Sequence, residues 1–160
     1  MPFILSEQRE HDGFAASRRY KDYVESNRDR FPASAFALAT SDWYFSFGDP
    51  RAPHDAHLVS VTISETPLAD PEPFAGIAIR IRIRSAHKGI IELFYPRVYR
   101  YSLTCSGSES CHCDWRYDEF RLSDEGHLLH EIEWWHGTET ARWLIEASDV
   151  EHRWHEAENG

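Results

Sequence analysis

The strongest constraint on the fold is the stretch GIAIRIRIRS at residues 76–85. Isoleucine alternates with arginine from Ile79 to Arg84. A repeat of two residues is typical of a β-strand with one buried and one solvated face. The isoleucines from Ile77 to Ile83 would face the core, and Arg80, Arg82 and Arg84 would face the other way. We therefore expect a sheet with at least one covered face.

The strand pattern continues along most of the chain after Trp43. Further strands are predicted at HLVSVTI, IIELFY, RVYRYSL, DWRYDEFRL, HLLHEIEWW, ARWLIEA and VEHRW, with a break at Pro96 between the second and the third of these. The proline-rich stretch TPLADPEPF at residues 66–74 indicates a loop, and SDEG at residues 123–126 indicates a hairpin turn. Because the connections are mostly short, the sheet should be mainly antiparallel.

The N-terminal quarter of the chain has a helical repeat. Apolar and aromatic residues recur at steps of three and four between Phe14 and Arg30, and Pro32 is suited to the first turn of a second short helix. We predict a single α+β domain over residues 1–160, mainly helical in 1–42 and mainly β in 43–155. One or two N-terminal helices would pack on a mainly antiparallel sheet of about seven short strands.

The composition is that of a folded domain, with 41% hydrophobic residues. No apolar run approaches the roughly 20 residues that a membrane span requires. The apolar N-terminal run PFIL is too short for an export signal, and the three cysteines are an odd number. We therefore predict a cytoplasmic protein with reduced thiols that does not associate with membranes.

The net charge of −10 comes from the last sixty residues, which hold four basic and fourteen acidic side chains. A field of this sign repels phosphate backbones, so we expect no binding to nucleic acid. It would attract a basic partner or cations, or it would simply keep the protein soluble. A free sheet edge could pair with a second copy, but the sequence does not indicate an oligomeric state.

A candidate metal motif lies at His54, Asp55 and His57, which are three ligand-type residues within four positions. A metal needs three or four ligands that converge at about 2 Å, so a carboxylate such as Glu131 would have to join them. On a strand, Asp55 and His57 would share one face and His54 would lie on the other. The interpretation that we favour is a polar strand entrance in which Asp55 bonds to nearby backbone.

A second group of ligand-type residues lies in the stretch CSGSESCHC. Cys105, Cys111, His112 and Cys113 fall within nine residues, which is formally enough to bind zinc. Their spacing contains no C-x₂-C pair and matches no zinc finger. We interpret the stretch as a polar hairpin tip with incidental thiols, and weak metal binding is the alternative.

The hairpin at residues 114–135 is the candidate binding surface. If Leu122 pairs with His127, then Asp118 faces Glu131, a like-charge pair that favours a nearby cation. The arginines of GIAIRIRIRS would supply that charge if the two strands were close, and would otherwise be free to hold an anion. The residues predicted to bind a partner, with the tryptophans as anchors, are Asp118, Glu119, Glu131, Glu133, Trp134 and Trp135.

Taken together, several stretches resemble a known group of domains. They are PHDAHLVSVTI, IIELFYPRVYRYSL, DWRYDEFRLSDEGHLLHEIEW and WLIEASDVEHRW, which span residues 53–154. They resemble uncharacterised bacterial β-rich domains that open with His-Asp-Ala and are similar to immunity proteins of polymorphic toxin systems. The resemblance implies a domain that binds a toxin protein, and it brings no catalytic residues with it.

Two hypotheses about function follow from the sequence. The first is a non-enzymatic, immunity-like domain that needs no cofactor and uses its acidic and aromatic C-terminal sheet to bind a basic protein, such as a toxin domain. The absence of a phosphate-binding glycine loop and of a nucleophile elbow favours it. The second is a metal-dependent hydrolase that uses His54, Asp55, His57 and a carboxylate.

Overall fold

The computed structural model describes residues 1–6, 11–67, 75–105 and 111–157. In these ranges it contains the helices α1 (Gly13–Ser26) and α2 (Ala33–Thr40). The strands are β1 (His57–Pro67), β2 (Ala75–Arg84), β3 (Ile90–Leu103), β4 (Asp114–Leu122), β5 (Leu128–Trp135), β6 (Thr140–Ala147) and β7 (Glu151–His155). The predicted α+β fold, with N-terminal helices and a mainly antiparallel sheet, is confirmed. No helix in these ranges is long and apolar enough to cross a membrane.

Two loops predicted from the sequence lie largely outside the described residues. The proline-rich loop was expected over residues 66–74, but β1 continues to Pro67, and residues 68–74 are not described. The tip of the cysteine loop, residues 106–110, is likewise outside the described ranges.

The sheet is nearly closed on itself. Its strands lie in the order β2-β1-β4-β5-β6-β3-β7, and β2 also pairs with β3, so that β1 to β6 surround a common core. The ring closes at the single residue pair His57 and Asp114. Next to this pair, the N–H of Asp55 donates to the Trp115 carbonyl at 2.8 Å, and the N–H of Trp115 donates to the Ala56 carbonyl at 2.9 Å. Closure therefore depends on the residues that lead into β1.

Helix α1 covers the edge of β4 that β1 leaves unpaired. The Tyr20 hydroxyl accepts a hydrogen bond from the N–H of Phe120, and the Tyr23 hydroxyl accepts one from the N–H of Leu122, both at 2.9 Å. Backbone donors on an inner strand must be satisfied when they are removed from water. The two tyrosines of α1 therefore take the place that a neighbouring strand would otherwise occupy.

Helix α2 is capped by a side chain from the far end of the chain. Its own cap residue, Pro32, makes no side-chain hydrogen bond. Instead the carboxylate of Asp149, which lies between β6 and β7, accepts hydrogen bonds from the N–H groups of Ser34 at 3.1 Å and Ala35 at 2.9 Å. A carboxylate at this end of a helix satisfies unpaired N–H groups and complements the helix dipole. The short helix is thereby fixed to the sheet.

Strand β2 has the predicted alternation. The isoleucines from Ile79 to Ile83 are fully buried, while Arg80 and Arg82 lie on the outer face. Both arginines approach Glu92 of β3 rather than the acidic hairpin. The condition under which the β2 arginines would offset the hairpin carboxylates is therefore not met for Arg80 and Arg82, because the neighbour of β2 on that side is β3.

Strand β3 is continuous, which corrects the predicted break at Pro96. The register between β2 and β3 shifts between Tyr95 and Val98, so Pro96 lies in an irregularity where no ladder donor is required. The strand also changes one of its partners here, since Ile90–Phe94 pairs with β7 and Val98–Leu103 with β6. One long strand therefore belongs to two parts of the sheet.

The β4–β5 hairpin has a different register from the predicted one. The turn pairs Leu122 with Leu128 rather than with His127. A β-bulge between Trp115 and Tyr117 adds one residue to β4, which restores the predicted pairing at the far end of the hairpin.

This change of register decides which carboxylates face the core. Asp118 lies opposite Ile132, and the residue opposite Glu131 is Glu119. A slip of one residue exchanges the two faces of a strand, because successive side chains point in opposite directions. The predicted pairing of Asp118 with Glu131 is therefore wrong.

Candidate functional site

Asp118 lies in the core at the centre of a hydrogen-bond network. It is 4% exposed, and its carboxylate accepts hydrogen bonds from the Tyr44 hydroxyl at 2.8 Å and from Nε1 of Trp115 at 3.0 Å. Nε2 of His130 donates to it at 2.8 Å, and Nδ1 of the same ring lies 2.6 Å from the Tyr95 hydroxyl. Burial and the charge of Asp118 raise the pKa of Tyr44 and of Tyr95, so both hydroxyls stay protonated donors.

Glu119 holds the N-terminal segment against the sheet. It is fully buried, and its carboxylate accepts hydrogen bonds from the N–H groups of Phe3 at 3.0 Å, Ile4 at 2.6 Å and Leu5 at 3.2 Å. Nε of Arg121 lies 2.8 Å from the same carboxylate. Burial raises the pKa of Glu119, and the charge of Arg121 and the three N–H groups oppose this effect.

The outer carboxylates of β5 are paired with arginines. Glu131 contacts Arg121 and lies 3.1 Å from Nη1 of Arg142. Nη2 of Arg142 lies 3.0 Å from Glu133 and donates to the carbonyl of Leu5 at 2.8 Å. Two guanidinium groups therefore offset much of the negative charge of this face.

The two predicted anchor tryptophans have different environments. Trp134 is buried, with its ring centroid 5.4 Å from that of Trp115 and 5.0 Å from that of Trp143. Trp135 is partly exposed, and the guanidinium carbon of Arg116 lies 4.9 Å from its ring centroid. Four of the six residues predicted to bind a partner are buried: Asp118, Glu119, Glu133 and Trp134. Glu131 and Trp135 are the two that a partner could reach.

The residues of the candidate metal motif form the turn before β1. His54 and Asp55 precede the strand, and Asp55 has a φ of 60°, so the expected alternation of faces does not apply to them. Nδ1 of His54 contacts the Arg116 carbonyl at 2.6 Å, whereas Nε2 of His57 lies 3.3 Å from the Asp114 carboxylate. The two histidines therefore face different partners.

Ligand-type side chains converge at a different place, near the β4–β5 turn. Within the described ranges, the group of three ligand-type side chains whose donor atoms all lie within 4.8 Å of one another is Glu125, His127 and Glu146. The set of His54, Asp55 and His57 is not such a group there. These residues lead into β1, but the contact predicted for Asp55 is not the one seen: its backbone N–H donates to the Trp115 carbonyl, and its carboxylate lies 3.4 Å from Nε2 of His54 rather than on backbone N–H groups.

The cysteine loop borders a cleft of about 340 Å³ that is lined by His57, Leu58, Cys111, His112 and Cys113. The Sγ atoms of Cys111 and Cys113 are 2.8 Å apart, and Cys105 is exposed. The ring of His112 packs against Trp143, with the centroids 5.0 Å apart. In the part of the loop that is described, these residues do not form a group of three converging metal ligands.

Exposed aromatic side chains gather at another cleft of about 340 Å³. Phe14 is 90% exposed and Phe47 is 54% exposed, and both line this cleft together with Tyr117. The guanidinium carbon of Arg116 lies 5.6 Å from the Tyr117 ring centroid and 4.9 Å from that of Trp135. We call this surface the aromatic patch: Phe14, Phe47, Arg116, Tyr117 and Trp135.

Sequence reasoning missed the aromatic patch because a phenylalanine is more often buried than exposed. One signal was available. In the sequence, Ala16, Tyr20 and Val24 are spaced by four, and Phe14 falls outside that series. These three are the buried residues of α1.

The aromatic patch and the buried network lie close to each other. A narrow space of about 20 Å³ lies between Phe47 and Asp118, which is room for about one water molecule. His130 and Tyr95 are fully buried behind Asp118. We expect the network to contribute to the stability of the core.

Acidification from pH 7.5 to pH 5 should destabilise the protein. Burial lowers the pKa of His112 and of His152. The unfolded chain binds protons near pH 6.5, whereas the folded chain binds them only at lower pH. The stabilisation is therefore complete above that value and is lost as the pH falls through the folded pKa values.

Urea unfolding at pH 7.5, 6.0 and 5.0 checks this expectation. His152→Asn should reduce the loss of stability, and the same change at the exposed His11 is the matched control. An unfolding midpoint that stays constant or rises toward pH 5 would contradict it.

Comparison with protein-family models, with curated proteins and with solved structures found no match to this chain.

Proposed function

We propose that this chain is a non-catalytic protein-binding domain, immunity-like and acting in a bacterial cytoplasm, whose aromatic patch binds a basic protein partner. The observation that supports the proposal is the exposure of Phe14 and Phe47 beside an apolar cleft. Leaving a phenylalanine in water rather than burying it costs about 1.5–3 kcal/mol. An apolar side chain of the partner would fill the cleft and cover both rings.

The composition of the patch is suited to an interface. Aromatic residues and arginine are enriched at the centres of protein interfaces, where they act as hot spots. Arg116 lies against the rings of Tyr117 and Trp135, so it is held in place by its neighbours. A side chain that is already ordered loses less entropy when a partner binds.

The charge of the protein favours a basic partner. The net charge is −10, and two exposed carboxylates lie at the margin of the patch. Asp12 caps α1 next to Gly13, which lines the cleft. Asp55 follows His54, whose ring stacks on Phe47 with a centroid distance of 3.7 Å. Charges at a rim chiefly raise the association rate and disfavour acidic competitors.

The outer carboxylates of β5 have a different role in this proposal. Because Glu131 and Glu133 are paired with Arg142, they stabilise the sheet and the N-terminal segment. His54 and His57 contact different partners, which supports the binding domain over the metal-dependent hydrolase.

A pull-down with purified protein tests the proposal. We expect wild-type protein to retain a basic protein from a bacterial lysate at 0.15 M salt, and to retain less of it at 0.5 M salt, because salt screens the charges at the rim. The double variant Phe14→Ser with Phe47→Ser should lose it at both concentrations. The matched control is Ile63→Ser, which removes an exposed apolar side chain from β1.

The retained protein would then be purified and titrated by calorimetry. The proposal requires binding by wild type and by Ile63→Ser, and at least ~10-fold weaker binding by the double variant, a factor that corresponds to about 1.4 kcal/mol. Equal binding by all three proteins, or retention of acidic proteins only, would contradict it. Circular dichroism would confirm that the double variant is folded.

A further inference from the structure

Three ligand-type side chains converge on the side of the sheet where the β4–β5 turn meets β6. Glu125 and His127 belong to the turn, and Glu146 lies on β6. Nδ1 of His127 is 3.0 Å from Oε1 of Glu146 and 3.8 Å from Oε2 of Glu125. The three donor atoms lie within 4.8 Å of one another, which small side-chain movements could bring round one ion.

Two of these side chains are held in place by their neighbours. The side chain of Glu146 is only 5% exposed, and Nε of Arg100 lies 3.1 Å from its Oε2, which leaves Oε1 directed at His127. The ring of His127 stacks on Tyr99 with a centroid distance of 3.8 Å and an angle of 12°.

The cluster opens onto a cleft of about 380 Å³. Glu125 and Glu146 line it, together with Asp124 and Tyr99. Metal sites with an open coordination position need such a space for water or for another ligand. Asp124 is exposed and adjacent in sequence to Glu125, so it could supply a further oxygen.

We infer that Glu125, His127 and Glu146 form a binding site for a divalent transition-metal ion of the zinc class. One imidazole nitrogen and two carboxylate oxygens are a ligand set that suits zinc. A hard ion such as calcium prefers six or more oxygen ligands, and the cluster offers fewer. The site is distant in sequence from the metal motif at residues 54–57 and does not depend on the proposed binding function.

The competing explanation of the cluster is that His127 and Glu146 form a purely structural pair. A substitution of Glu125 distinguishes this explanation from a metal site. Its side chain is 77% exposed, so its charge matters little to folding. Replacing it should therefore leave stability unchanged and weaken only the binding of an ion. Arg100 gives a second contrast, because removing its positive charge beside Glu146 should strengthen the binding of a cation.

Zinc binding to chelator-treated protein tests the inference. The full chain would carry serine at Cys105, Cys111 and Cys113, so that thiols do not bind the added Zn²⁺. Calorimetry should show one equivalent of zinc bound, and the thermal midpoint should rise with zinc concentration. Glu125→Gln and His127→Gln should each weaken binding at least ~10-fold, the lower bound for substitutions even outside the ligand shell.

The matched control is Glu156→Gln, an exposed glutamate near the C-terminus that should bind zinc as the parent does. Arg100→Gln should bind it more tightly. Absence of zinc binding by the cysteine-free protein would overturn the inference, as would binding that Glu125→Gln and His127→Gln leave unchanged. Neither of these two outcomes requires a substitution at the buried Glu146. The test therefore stands even if a Glu146 variant fails to fold.

Discussion

Replacing Asp118 with alanine should lower the free energy of unfolding by about 3–5 kcal/mol, the range for breaking a buried polar network. The carboxylate accepts hydrogen bonds from Tyr44, Trp115 and His130, and all three donors are buried. Alanine would leave each donor unsatisfied, at about 1–3 kcal/mol apiece before the site relaxes. Urea unfolding at neutral pH, followed by tryptophan fluorescence, measures the change.

Asp124→Ala is the matched control, since it removes an exposed carboxylate from the turn at the end of β4. It should change stability by less than about 0.5 kcal/mol, as is usual for surface substitutions. Asp118→Asn should fall between the two, because the amide oxygen can still accept a hydrogen bond. A loss of less than about 1 kcal/mol in Asp118→Ala would show that the network contributes little, since one ordinary hydrogen bond contributes that much.

Gly89→Ala should lower the free energy of unfolding by about 2–4 kcal/mol, as the sum of backbone strain and a steric clash. Gly89 has a φ of +88°, which side chains other than that of glycine adopt at a cost. A Cβ there would lie 2.6 Å from the carbonyl oxygen of His155 and 2.8 Å from Nε1 of Trp154. Because the first of these is backbone, β7 would have to move.

Gly126→Ala provides the control for strain alone. Gly126 has a φ of +83°, and a Cβ there would meet nothing within 4 Å. Its cost should be about 1–2 kcal/mol, the penalty of a left-handed backbone. The difference between the two variants in urea unfolding measures the clash with β7. Equal losses would mean that β7 shifts at no cost.

The repeat of two along β2 and the spacing of buried residues in α1 were sufficient to predict the class of the fold. Both signals arise because one face of each element is covered and the other meets solvent. The closure of the sheet was not predictable in this way. It depends on which strands are neighbours, and the pairing of His57 with Asp114 joins positions that have no shared pattern in the sequence.

The register of the β4–β5 hairpin was not predictable because two irregularities offset each other. The turn is one residue out of the predicted register, and the bulge before Tyr117 restores it. Between the bulge and the turn, Asp118 and Glu119 therefore lie on the faces opposite to those that the predicted register gives them. Alternation alone cannot reveal a bulge, since Asp118 is polar and therefore appears suited to the solvent side.

The acidic C-terminal third illustrates the limit of reasoning from charge. Formal counts identified an excess of carboxylates, but not which of them are paired across strands. Arg142 meets both Glu131 and Glu133, and Arg121 meets Glu119. These partners come from neighbouring positions in the sheet, so they are visible only once the strand order is known.

The nearly closed sheet also has consequences for how the chain folds. Strands β1 to β3 and strands β4 to β6 are two groups in which each strand pairs with the next along the chain. Such local pairings form quickly, whereas those between the groups, β3 with β6 and β1 with β4, join distant parts of the chain and form slowly. We therefore expect the docking of these two groups of strands to limit the rate of folding.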